Sequence, residues 1–76
     1  MNKIVNMQPK ELVKYAGQLV KHLSKLGNEE AADDLLNAAF HYIGGHSGFQ
    51  ENRLPELIRL CEKWRLDSVK EIENHA

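Results

Sequence analysis

The first residues in this chain able to do chemistry are Glu30, Asp34, Asn37 and His41. Their spacings of four, three and four put them on one side of an α-helix, where residues three and four apart are neighbours. Carboxylates and an imidazole on one helical face can bind a divalent metal. A metal-binding bundle, however, draws a second carboxylate-x-x-His motif from a partner helix, and the preceding helix offers only Glu11 and His22. The acidic row therefore reads as a solvated face, with Asp33 beside it.

The second set is His41, His46 and Cys61. Two histidines five apart occur in zinc sites, but structural zinc takes four ligands, usually with paired cysteines. Cys61 is the only cysteine, and it falls on the apolar side of its helix, where a free thiol packs as a small hydrophobe. A Cys-His nucleophile needs a third, orienting group, and none is in evidence. Gly44-Gly45-His46-Ser47-Gly48 is rich in glycine like a phosphate loop, but it follows a helix and lacks the Gly-Lys-Ser/Thr signature. No metal, no cofactor and no enzymatic activity are expected.

A third set is basic. Lys14, Lys21 and Lys25 are spaced seven and four apart and share a face of the first helix, and Arg59 and Arg65 add charge further on. A nucleic-acid binder usually shows a basic pI and a basic recognition helix. Here the net charge is −1, and the middle of the chain is acidic. This set is kept as the alternative function, a nucleic-acid-binding regulator acting alone or as a dimer; its bland reading is a solvated lysine face.

The elements that must carry these residues are helices. With 76 residues the chain is one domain. A domain this small buries only about 60% of its unfolded surface, and one cysteine allows no internal disulfide. The composition, 42% hydrophobic and 28% charged, is that of an ordinary globular domain. It contains no apolar run long enough to span a membrane and no signal-peptide pattern. A single thiol fits a reducing, cytoplasmic setting.

Helix one is expected over 9–26. Pro9 suits the first helical position, Met7 and Leu12 sit at the two ends of a hydrophobic staple, and Leu12, Tyr15, Ala16, Leu19, Leu23 and Leu26 line one face. Val13 and Val20 widen that face. Gly17 interrupts the helix, which the close approach of a neighbour would explain. Gly27-Asn28 stops one helix and starts the next, making an antiparallel hairpin.

Helix two, 28–43, has Asn28 as its cap and Gly44 as a left-handed stop. Stepped at about 100° per residue, its apolar residues Ala31, Ala32, Leu35, Leu36, Ala38, Ala39, Phe40, Tyr42 and Ile43 cover roughly half the circumference, wider than the ordinary stripe of about 100°. Such an arc must touch two neighbours, or one neighbour and a partner chain.

Helix three is expected over 53–73, with Leu54, Leu57, Ile58, Cys61, Trp64, Val69 and Ile72 on one face and Leu66 outside it. Ser68 and Glu71 form a capping-box pattern, so a break near Leu66-Asp67 into a short fourth helix is the variant reading. Phe49, in the 44–52 loop, either plugs the core or stands as a contact.

The fold expected is thus all-α, a small three-helix bundle made of a helical hairpin plus a third helix. Charge is segregated along it. Residues 1–27 carry a net +4, residues 28–52 a net −5, and residues 53–76 are neutral overall. Together with the surplus apolar surface this favours a protein-interaction module: a small regulator, adaptor or inhibitor with no membrane association. Glu30, Asp33, Asp34, His41, Phe49, Trp64 and Leu66 would meet a partner with a basic surface, and self-association as a homodimer is the other expected use of that surface.

Overall fold

A computed structural model describes residues 4–44 and 48–75. Every regular element is helical: α1 (Pro9–Lys25), α2 (Glu29–Ile43), α3 (Leu54–Trp64) and α4 (Leu66–His75), with short 3-10 turns at Ile4–Asn6 and Glu51–Arg53. The fold is a small all-α bundle in which α1 and α2 form the hairpin and the third helical stretch, bent at Arg65, packs across it. Segment α3 lies on both hairpin helices and α4 on α1. Among the described residues, no helix is long and apolar enough to cross a membrane.

The hairpin turn follows from two residues. Gly27 adopts φ +81°, a conformation that costs other residues about 1–2 kcal/mol. Its N–H donates to the Ser24 carbonyl, and the N–H of Asn28 donates to the Leu23 carbonyl, the paired bonds of a Schellman ending. Asn28 then turns from ending one helix to starting the next, its Oδ1 accepting from the Ala31 N–H at 3.3 Å. Beside this turn, Ser24 Oγ donates to Glu29 Oε1 at 3.3 Å.

One core runs through all the helices. Leu12, Ala16, Leu19 and Leu23 of α1 meet Ala31, Leu35, Ala38 and Tyr42 of α2 over Leu57 and Cys61 of α3 and Val69 of α4. The lead-in closes over it, with Ile4 buried and its carbonyl accepting from the Met7 N–H.

Four expectations change. The third helical stretch is not straight: Arg65 takes φ +43° and ψ 122°, ending α3 with its N–H on the Cys61 carbonyl and opening α4 with its carbonyl accepting from the Val69 N–H. This bend resets the helical phase. Leu66, off the face of a straight helix, becomes a core residue 9% exposed, whereas Ile72, on that face, is 56% exposed. The break lies ahead of the Ser68 capping pattern. The N–H of Leu66 donates to Tyr15 Oη at 2.7 Å, so α4 begins where a side chain of α1 receives it.

Gly44 is not left-handed. Its φ is −75°, and a Cβ there would lie 2.7 Å from the Phe40 carbonyl oxygen, so glycine is needed for close approach. The chain returns at once to cap α2, the Gln50 N–H donating to the Tyr42 carbonyl at 2.7 Å. Gly17, by contrast, is exposed, with nothing within 4 Å of an added Cβ. No neighbouring helix approaches it within the chain, so its cost of about 1 kcal/mol relative to Ala has no packing return in the monomer. Phe49 does not plug the core: it is exposed on one side, and on the other its ring lies tilted against Tyr42, ring centroids 5.1 Å apart.

Candidate functional site

The bend in the third helical stretch leaves α3 beside α2, and the seam between them is a groove. Two hollows form it, joined at Asp34 and Leu60. The first, of about 220 Å³, is lined by Asn28, Glu30, Ala31, Asp34, Leu60, Lys63 and Trp64. The second, of about 290 Å³, is lined by Asp34, Asn37, Ala38, His41, Glu56, Arg59 and Leu60.

The row read from sequence therefore forms one wall. Glu30, Asp34, Asn37 and His41 stand along α2 because their spacing keeps them on one flank while Leu35 and Tyr42 turn inward. The opposite wall, on α3, is mostly basic: Arg59 and Lys63, four apart, with Glu56 one turn earlier. Ala31, Ala38 and Leu60 supply an apolar floor, the two alanines keeping it low. Trp64 closes one end, half-buried, with Lys63 Nζ 5.5 Å from its ring centroid, a cation–π distance. The groove thus carries carboxylates on one side, guanidinium and ammonium on the other, and carbon between.

The expected contact residues are divided by the structure. Glu30, Asp34, His41 and Trp64 share the groove. Asp33 is exposed on α2 outside it. Phe49 lies over Tyr42. Leu66 is corrected from a surface contact to a core residue, because the bend turns it inward.

The basic set is divided too. Lys21 and Lys25 lie on exposed α1 positions, and Lys14 borders a separate hollow with Met7, Glu11, Tyr15 and Gln18. Arg59 belongs to the groove among Asp34 and Glu56, and Arg65 is exposed at the bend. Lys63 and Leu60 are groove residues that stood outside the sites expected from the sequence. Arg59 and Lys63 at i and i+4 are the signal that could have found the second wall.

Among the described residues, no group of three or more His, Cys, Asp or Glu side chains is placed to hold a metal ion; His46 lies outside the described residues. Cys61 is wholly buried, and burial first, then the nearby Glu62 carboxylate, pushes its thiol up to about 12. It is held as the neutral thiol, the form that does not attack electrophiles.

Compared with protein-family models, curated proteins and solved structures, the chain matches none.

Proposed function

We propose that the chain is a non-enzymatic protein-interaction module, a small regulator, adaptor or inhibitor whose α2–α3 groove receives a segment of another protein. The observation that carries this reading is the pairing of an acidic wall with a largely basic one over an apolar floor ending in Trp64. Each hollow is below the ~300–1,000 Å³ typical of small-molecule sites but is large enough for one or two side chains. Tryptophan and arginine are favoured anchors in protein interfaces. A partner with basic residues along the edge facing Glu30 and Asp34 is recognised in one orientation only, because reversing it sets its cations against Arg59 and Lys63. Charge of this kind contributes chiefly to association rate and specificity, and the rate falls as salt rises.

The nucleic-acid reading has less in its favour, since Arg59 is set among carboxylates while Lys14 lies over another hollow. The test is capture from host lysate after nuclease treatment, wild type beside Glu30→Lys/Asp34→Lys. Both positions are exposed, so the variant should fold. A discrete protein retained by the wild type and lost by the variant supports the module. Retention that collapses with nuclease, or a partner indifferent to the variant, overturns it.

A further inference from the structure

The hairpin has a second face, turned away from α3 and α4. On α2 it carries Leu36 (40% exposed), Phe40 (60%) and Ile43 (40%), spaced four and three along one flank. These three belong to the wide apolar arc of α2, and the bundle leaves them uncovered while burying the other six. On α1 the same side carries Val13, Gly17 and Val20. The Ser24–Glu29 hydrogen bond ties these two flanks edge to edge, and Val13 and Val20 are half-buried against the core. Gly17 lies in the middle of this face with open space above it.

We infer that this face is the dimer interface of the protein and that its occupant is a second copy of the chain. Charge decides both occupant and arrangement. Lys10, Lys14 and Lys21 make the α1 side of the hairpin positive, and Glu29 and Asp33, on the flank of Leu36 and Phe40, make the α2 side negative. A closed pair of like chains uses the same patch on both copies about a two-fold axis. An axis crossing the helices would lay α1 on α1 and α2 on α2, setting like charges together. An axis running along the hairpin lays α1 on the partner's α2, basic arm on acidic arm, and completes a four-helix layer with Leu36, Phe40 and Ile43 inside.

That axis also fixes the register, because it carries every residue to a position at its own height. The Ser24–Glu29 contact pairs positions across the hairpin, so Gly17 is level with Leu36 and Val13 with Phe40. In the dimer Gly17 faces the partner's Leu36, Val13 faces the partner's Phe40, and Lys21 lies beside the partner's Glu29 and Asp33. The glycine that no contact within the chain explains is where the partner helix comes closest. This face is separate from the α2–α3 groove, so the dimer stands or falls independently of what the groove binds.

Sedimentation equilibrium of the full chain from about 1 to 500 μM reads the dissociation constant directly. A monomer–dimer equilibrium is expected within that range. Phe40→Asp should leave only monomer. Gly17→Gln, which meets nothing in the monomer, should raise Tm at monomeric concentrations yet weaken the dimer at least about tenfold. Lys21→Glu and Asp33→Lys should each weaken it, and the two together should restore it. A wild type that stays monomeric throughout overturns the proposal. So does a dimer indifferent to Phe40→Asp and Gly17→Gln, or a charge swap that fails to restore association.

Discussion

The chain changes direction between helices at two places without a long loop, and they are built differently. At Gly27-Asn28 the reversal is local. Glycine takes the positive φ, two backbone bonds close the end of α1, and the Asn28 side chain opens α2. At Arg65 the bend is imposed from outside. A residue with a full side chain sits at φ +43°, and the N–H of Leu66 is received by the hydroxyl of Tyr15, 51 residues away. One junction is written in its own two residues. The other exists because α1 offers a hydroxyl and the core offers room for Leu66, which together hold a strained backbone worth about 1–3 kcal/mol.

Removing the tertiary support should hurt more than spoiling the local turn. Leu66→Ala empties a buried site at the bend and should lower unfolding free energy by about 2–4 kcal/mol in urea titrations; a loss well below that would mean the bend does not depend on core burial. Gly27→Ala forces a Cβ into a left-handed position and should cost about 1–2 kcal/mol by the same measurement. Tyr15→Phe removes only the acceptor for the Leu66 N–H and should cost about 1 kcal/mol, with amide exchange at Leu66 accelerating more than at Ala31. Arg65→Gly sharpens the contrast from the other side. Relief of the positive φ outweighs the added chain entropy, so stability should rise by about 0.5 kcal/mol, seen as a higher Tm; a fall would place the strain elsewhere.

The same contrast explains what could be read in advance. The hairpin was legible because its signals, Pro9, Gly27, Asn28 and the helical spacing of Leu12, Leu19 and Leu23, act within a few residues of themselves. The bend in the third stretch was legible only as the variant reading, from the misfit of Leu66 and the capping pattern at Ser68, because the choice between continuing and bending also depended on Tyr15, 51 residues away. Once the bend resets the phase, the misfit of Leu66 disappears and Ile72 falls to the surface. At the groove, the row from Glu30 to His41 was visible as spacing, but its facing wall of Arg59 and Lys63 required the packing of α3 on α2. The breadth of the α2 arc pointed to apolar surface beyond one neighbour's reach. Which part would remain uncovered depended on where α3 came to rest.

Cys61 has a consequence for the lifetime of the fold. In the folded bundle its thiol is out of reach of any reagent, so modification proceeds only through molecules that have opened. An adduct larger than a thiol no longer fits between Leu57 and the hairpin, and a modified chain cannot close again. Under oxidising conditions opening becomes one-way: each excursion carries a chance of capture, and the population drains at a rate set by how often the bundle opens and how long it stays open before it closes.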